Sequence, residues 1–304
     1  MPHKPPVTQL LEGLVIAHLG KGLAVESGDS IITCHTRRRL ETAAVGDKVL
    51  WEKLSGEQGR VLEILPRRSV LMRPSRNGKD RPVAANIDNI FVVFAVEPPC
   101  DFLLIDQYLA VCENRKIDAQ LVFNKSDLFS AEHHQQIASG LKIYEALGYP
   151  VLHVSARQGI GMTGLQQSLK NHTSMLAGQS GVGKSSLTNA LIPGQRLKTK
   201  SVSATTRHGR HTTTAATLYH LPCGGDLIDS PGVAVFGLAG LTERQLGHGY
   251  REFQPLIGQC LFNNCRHVQD KGCAVRAAVQ AGRISENRYR RFLKLREKMA
   301  LADR

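Results

Sequence analysis

The chain has 304 residues, 42% of them hydrophobic and 21% charged, a balance that suits two or three folded domains and excludes a disordered or fibrous chain. It has no apolar run of about 18 residues, the length a membrane-spanning helix needs, and Met1-Pro2-His3-Lys4-Pro5-Pro6 does not lead into the apolar core of a secretion signal. A cytoplasmic protein with no membrane partner is therefore expected.

The 39 basic and 26 acidic residues leave a net charge of +13. The excess is uneven, because residues 236–304 alone hold 13 basic and 6 acidic side chains. Such an excess points to a polyanionic partner, nucleic acid before others. Seven cysteines, an odd number, argue against a disulfide framework in a cytoplasmic chain. Cys34, Cys100, Cys112 and Cys223 are scattered and read as buried thiols.

Residues 8–66 read as five short strands around Leu14-Ala17, Gly22-Val25, Ser30-Cys34, Asp47-Trp51 and Arg60-Leu65, punctuated by glycines. That density predicts a small closed barrel of the OB type, a fold that often binds RNA. Arg37-Arg38-Arg39 can touch phosphate there or lie as a solvated loop. Trp51 is the one aromatic residue in these strands, which gives base stacking little support. Residues 67–82, which follow Pro66 and hold Arg67, Arg68, Arg73, Arg76, Lys79 and Arg81 with Pro74 and Pro82, read as a mobile basic linker. Strands at 89–96, 120–123 and 151–154, alternating with helices at 101–116 and 131–147, then predict a parallel, doubly wound sheet.

The chemistry follows those strands. Asn124-Lys125-Ser126-Asp127 is an N-K-x-D element, in which the Asp127 carboxylate can accept the N1–H and 2-amino hydrogens of guanine. Ser155-Ala156 suits the loop on the other side of that base. Gly178-Gln179-Ser180-Gly181-Val182-Gly183-Lys184-Ser185 fits G-x-x-x-x-G-K-[ST] at every fixed position. Its backbone N–H groups, with Ser186 at the start of the next helix, would cradle phosphates; Lys184 would reach the β- and γ-phosphates and Ser185 bind Mg²⁺. Residues 195–215 are threonine-rich and read as a switch loop. Asp229-Ser230-Pro231-Gly232 is a D-x-x-G element: Asp229 would hold Mg²⁺ and the Gly232 N–H would sense the γ-phosphate. The guanine elements precede the phosphate loop, so the predicted fold is a circularly permuted GTPase domain. Val233 follows D-x-x-G and cannot orient a water, which makes His211 the candidate for that role.

Cys260, Cys265, His267 and Cys273 offer three thiolates and an imidazole, a full tetrahedral set for a structural zinc ion. A segment this short is expected to have little core of its own and to rely on the metal. The stretch from Ser285 to Met299 reads as a basic helix, with Arg288, Arg290, Arg291, Lys294, Arg296 and Lys298 available for RNA phosphate.

Taken together, these residues resemble the ribosome small-subunit-dependent GTPase A (RsgA) family. The likeness rests on Val83-Ala84-Ala85-Asn86-Ile87-Asp88, the phosphate loop through Ser186, Gly209-Arg210-His211-Thr212-Thr213 and the Cys3His set. It implies a factor in late maturation of the 30S subunit, in contact with 16S ribosomal RNA, that hydrolyses GTP to GDP under stimulation by the subunit and acts as a monomer. The expected domains are an OB-fold region at 1–72, a permuted GTPase at 73–235 and a mainly helical zinc-binding region at 236–304. The rival reading is a GTP-dependent RNA-binding module whose hydrolysis is incidental.

Overall fold

The structure is a computed structural model that describes residues 10–302 apart from 21, 38–39, 55–57, 74–79, 129–130, 193–215, 231–237 and 239. Arg38, Arg39, the threonine-rich loop with His211, and Gly232 and Val233 thus lie outside the described residues.

Five strands form the first unit: β1 (Leu10–Leu19), β2 (Gly22–Ser27), β3 (Ser30–Thr36), β4 (Lys48–Lys53) and β5 (Gln58–Ile64). β1 pairs with both β2 and β4, β2 with β3, β3 with β5 in parallel, and β5 with β4, so the sheet closes on itself. Alternating residues turn Val15, Leu23, Val25, Cys34, Val49, Trp51 and Val61 into the barrel interior. Trp51 is spent on this core and offers no stacking surface.

The stretch expected as a mobile linker is structured where it is described. β6 (Val70–Arg73) and β7 (Arg81–Ala85) form an antiparallel hairpin, and β6 crosses the expected boundary at residue 72. The charged composition hid the apolar Leu71 and Ala84, which enter the main core with Val45 of the barrel. Arg67 makes paired hydrogen bonds to the buried carboxylate of Asp47 at 2.7 and 2.8 Å, and Arg68 reaches Asp88 at 2.6 Å. Two of the basic residues expected in a mobile linker are therefore committed to internal pairs.

The second unit runs through β8 (Asn89–Phe94), α1 (Phe102–Arg115), β9 (Asp118–Phe123), α2 (Ala131–Ala146), β10 (Val151–His153), α3 (Met162–Leu169), β11 (Thr173–Gly178), α4 (Lys184–Leu191), β12 (Thr217–His220) and β13 (Asp226–Asp229). The strand order is β10-β9-β8-β11-β13-β12, with all neighbours parallel except β12 at the edge. Alternation along β8 serves two cores. Ile90, Val92 and Phe94 face α1 and α2; Phe91 and Val93 face α3 and α4. Both faces of the sheet are covered, which explains the unbroken apolar run in the sequence. A single pairing of Ala17 with Thr217 joins β12 to β1. Beside it, His220 stands between Glu26 of β2 at 2.9 Å and Asp226 of β13 at 2.7 Å.

The C-terminal region consists of α5 (Glu243–His248), α6 (Gln254–Ile257), α7 (Ala274–Gln280) and α8 (Glu286–Ala302). It does not lack a core. Tyr250 and Phe253 stack, Phe292 meets both edge-on, and with Leu246, Val275 and Leu295 they extend the core beneath α1. The basic helix α8 faces inward more than its composition suggests. Arg288, 1% exposed, bonds Asp106 of α1 at 2.6 Å and Glu252 at 2.7 Å. Arg291 takes the other oxygen of Asp106 at 2.5 Å, Arg296 pairs with Glu243 and Lys298 with the Gln107 amide. Of the four scattered cysteines, Cys34 and Cys112 are buried, whereas Cys100 and Cys223 are partly exposed. Among the described residues no helix is long and apolar enough to cross a membrane.

Two outcomes follow from this packing. Replacing Asp106 by alanine leaves Arg288 and Arg291 facing each other without their shared carboxylate, and should cost about 3–5 kcal/mol in a urea melt; Arg290→Ala, which removes an exposed pair, should change stability by under about 0.5 kcal/mol. The second concerns His220. Partial burial disfavours its charge, but Asp226 and Glu26 outweigh that, so its pKa lies above the ordinary value. A raised histidine pKa stabilises the fold fully below the unfolded value and less as pH rises through the folded one. Hydrogen exchange in β1 and β12 should therefore quicken as pH rises through the folded-state pKa, after correction for intrinsic exchange, and His220→Gln should abolish that dependence.

Candidate functional site

The parallel strands β8, β9, β10, β11 and β13 all end at one edge of the sheet, and the loops that follow them meet there, as ligand loops do in open α/β sheets. Register does this work. Gly178 at the end of β11 pairs with Val93 of β8, and Phe94 of β8 pairs with Phe123 of β9. Loops remote from one another in the chain are thereby adjacent in space.

The loop after β11 is a tight turn into α4. Gly178 has φ +144° and a Cβ there would sit 2.1 Å from the Val93 carbonyl oxygen; Gly183 has φ +94° and a Cβ there would sit 2.4 Å from the Asn124 amide. Only glycine meets both the conformational and the steric demand. Val182 is buried beneath the loop, while Gly181, Ser180, Ser185 and Ser186 are exposed and Gln179 partly so. Lys184 folds back over the loop, donating to the carbonyls of Gly178 at 2.7 Å and Gln179 at 2.8 Å. Burial lowers its pKa, opposed by Asp229 at the end of β13. The Asp229 carboxyl is in turn pushed up by burial, against Lys184 and the Ser230 N–H. Each charge thus offsets part of the cost of burying the other, in a partly desolvated place beside the exposed Ser185. A lysine, a serine hydroxyl and a carboxylate gathered at a helix N-terminus suit a phosphate chain with its divalent cation.

Asn124 joins the two halves of the site. It is 2% exposed. Its amide nitrogen donates to the Val182 carbonyl at 2.9 Å, and its amide oxygen accepts from the Ala156 N–H at 3.2 Å. One side chain therefore locks the phosphate loop to the N-K-x-D loop and to the loop after β10. Lys125, at φ +59°, donates to the Glu97 carbonyl at 2.7 Å. Ser126 and Asp127 open a short 3-10 turn. The Ser155 hydroxyl donates to Asp127 Oδ1 at 2.5 Å and accepts from the Gln158 N–H. This fixes the carboxylate plane and leaves Asp127 Oδ2 without a hydrogen bond among the described residues. A fixed, half-occupied carboxylate suits a ligand with adjacent donors, such as the N1–H and 2-amino group of guanine.

The expected nucleotide residues from Asn124 to Asp229 are thus gathered at one edge, save His211 and Gly232, which lie outside the described residues. Two contributors went unread in the sequence. Tyr108, buried in α1, bonds the backbone of Gly178, and Pro98 lies 3.4 Å from where a Gly181 side chain would begin. Neither carries a sequence signal, since a tyrosine at helical spacing reads only as core.

The metal cluster lies about α5–α7, away from that edge. The donor atoms of Cys260, Cys265, His267 and Cys273 all fall within 4.8 Å of one another. His267 Nδ1 stands 3.7 Å from Cys260 Sγ and 3.5 Å from Cys273 Sγ. Donors about 2.3 and 2.0 Å from a tetrahedral zinc would stand about 3.5 Å apart, so the residues fit such an ion. His267, at φ +58°, has its carbonyl held by the Tyr289 hydroxyl at 2.8 Å. Burial lowers its pKa, which favours the neutral, ligating form.

A family model described as RsgA GTPase matches residues 64–239. A protein of Haemophilus influenzae named small ribosomal subunit biogenesis GTPase RsgA is 44% identical over 95% of this chain and 85% of its own. One of the same name from Chromohalobacter salexigens is 46% identical over 91% and 83%. The crystal structure of YjeQ from Thermotoga maritima superposes with a TM-score of 0.78 at 30% identity, over 96% of this chain and 99% of that one. YloQ, described as a circularly permuted GTPase, gives 0.75 at 26% identity, over 98% of each. Sequence likeness of this extent, over a sheet whose phosphate loop comes fourth among its strands, means that the chain belongs to the RsgA family of GTPases.

Proposed function

We propose that the chain hydrolyses GTP to GDP and phosphate on the small ribosomal subunit, during that particle's late maturation and under its stimulation. The name shared by its relatives supports this reading. The observation that carries the chemistry is Asn124, whose two hydrogen bonds tie the base-side loops to the phosphate loop.

In this reading Asn124, Lys125, Ser126 and Asp127 with Ser155 and Ala156 hold guanine, and Asp127 selects it. Residues 178–186 cradle the phosphates through backbone N–H groups. Lys184 leaves the carbonyls of Gly178 and Gln179 to meet the β- and γ-phosphates. Ser185 and Asp229 hold Mg²⁺, which would neutralise charge on the phosphate oxygens. Gly232 senses the γ-phosphate, and His211 orients the water that attacks it, since Val233 has no polar atom for the purpose. Attack forms a bond from water to the γ-phosphorus and breaks the one to the β–γ bridging oxygen, leaving GDP. Cys260, Cys265, His267 and Cys273 hold one structural zinc with no open position. The domains act as barrel (1–72), GTPase (73–235) and zinc-binding region (236–304). A monomer working in the cytoplasm against 16S ribosomal RNA completes the proposal.

Three measurements test it. Steady-state GTP turnover should rise strongly with purified 30S subunits, less at high salt, and not with transfer RNA; GTP-dependent 30S binding without stimulation would favour the binding-module reading instead. Asp127→Asn presents an amide donor where guanine needs an acceptor. It should cut GTP turnover about hundredfold or more and allow xanthosine triphosphate, which carries a carbonyl at that position, to be used in its place. Chelation of zinc should remove hydrogen-exchange protection first across 258–273, with α8 keeping its protection because Arg288 and Phe292 are anchored beneath α1.

A further inference from the structure

The phosphate loop is held from outside by side chains of other elements, and one of these belongs to α1. Gly178, Gly181 and Gly183 have φ of +144°, +84° and +94°. Glycine reaches such dihedrals without strain, but it also has the most backbone freedom to lose. A loop rich in it gains affinity for an anion when its shape is set beforehand. Asn124 sets the far end by donating to the Val182 carbonyl at 2.9 Å. At the near end stands Tyr108, whose hydroxyl is hydrogen-bonded to the backbone of Gly178. The carbonyl of that same glycine accepts from Lys184 at 2.7 Å. The start of the loop and the resting place of its lysine both depend on where Gly178 is held.

Tyr108 is a fixed point. It is fully buried, in the core that α1 makes with the sheet, and α1 is seated at three other places. Asp101 caps it by accepting from the Leu104 N–H at 3.1 Å, Asp106 pairs with Arg288 and Arg291, and the Asn114 amide donates to the Gln245 carbonyl at 2.8 Å. A phenylalanine would fill the same space in the core. A buried hydroxyl is costly unless it meets a partner, and here it meets the phosphate loop. We propose that Tyr108 is a positioning residue of the nucleotide site, whose hydroxyl pins Gly178 and so keeps the loop in the shape that receives a phosphate chain. The inference rests on residues 178–186 being the phosphate cradle. Tyr108 acts through Gly178, so its bond serves GTP, GDP and the transition state alike. Such uniform binding is read in KM rather than kcat. Guanine selection belongs to Asp127 and stays as it is.

The test uses the full zinc-loaded chain with Mg²⁺, titrated with methylanthraniloyl-GDP and assayed for unstimulated GTP turnover. Tyr108→Phe removes one oxygen and keeps the ring. It should weaken GDP binding about fivefold and raise KM for GTP by a similar factor, the size expected for one lost hydrogen bond. Turnover at saturating GTP and the preference for GTP over xanthosine triphosphate should not move. Val111→Ala shortens a buried side chain of the same helix; it should lower the urea midpoint and leave GDP affinity unchanged. Equal GDP affinity in Tyr108→Phe and the parent would overturn the proposal. So would an equal loss in Val111→Ala, which would mean that any loosening of α1 has the same effect. Lys184→Ala separates this inference from the reading beneath it. If that variant binds GDP as the parent does, the phosphate-cradle assignment falls and the inference with it. If it loses affinity while Tyr108→Phe does not, the cradle stands and the inference alone falls.

Discussion

Asp106 is a carboxylate with no exposure to solvent, and much of the molecule is arranged to keep it paired. A buried charge is tolerable only when its lone pairs are met by donors. Arg288, Arg291 and the Tyr144 hydroxyl meet them from α8 and α2. The same helix α1 touches the phosphate loop through Tyr108 and the α5–α8 region through its outer face. Since one charge cluster ties α8 to the helix behind the phosphate loop, the C-terminal region cannot separate from the GTPase sheet without exposing unpaired ions.

The phosphate loop and the C-terminal region are joined in two ways. In the chain, the D-x-x-G element leads straight into the C-terminal region. Through α1 they are joined without a covalent bond, because the Tyr108 contact with Gly178 and the Asp106 pairs are two residues apart on one helix. Cys260, Cys265, His267 and Cys273 gather the loop of 258–273, whereas α5 and α8 are held by apolar packing against α1. A metal held by those four residues would shape that loop more than supply a missing core.

The site and the barrel were legible to different depths. Asn124, Asp127, Lys184, Ser185 and Asp229 stand at fixed spacings beside buried strands, and such local patterns survive without knowledge of the fold. The barrel strands were legible through alternation and glycine punctuation. Residues 67–82 were misread because charge and proline signal a loop, while the Leu71 and Ala84 contacts that order it come from Val45, far off in the chain. The internal pairs of the α8 arginines were hidden for a similar reason. A cation looks the same in sequence whether its partner is an RNA phosphate or an aspartate 182 residues away.

The sequence alone determined which chemical groups are present: the phosphate-loop pattern, the N-K-x-D carboxylate, four side chains that could hold a metal, and the permuted order of these motifs. These depend on residue type and short spacing, which the chain carries directly. The tertiary structure decided which charges remain free. Parallel register brought Asn124 against Val182 and Ala156, and buried Asp106 drew Arg288 and Arg291 of a basic helix into internal ion pairs. Both outcomes depend on distances between elements remote in the chain, and those are set by packing of the sheet and its helices rather than by any local pattern.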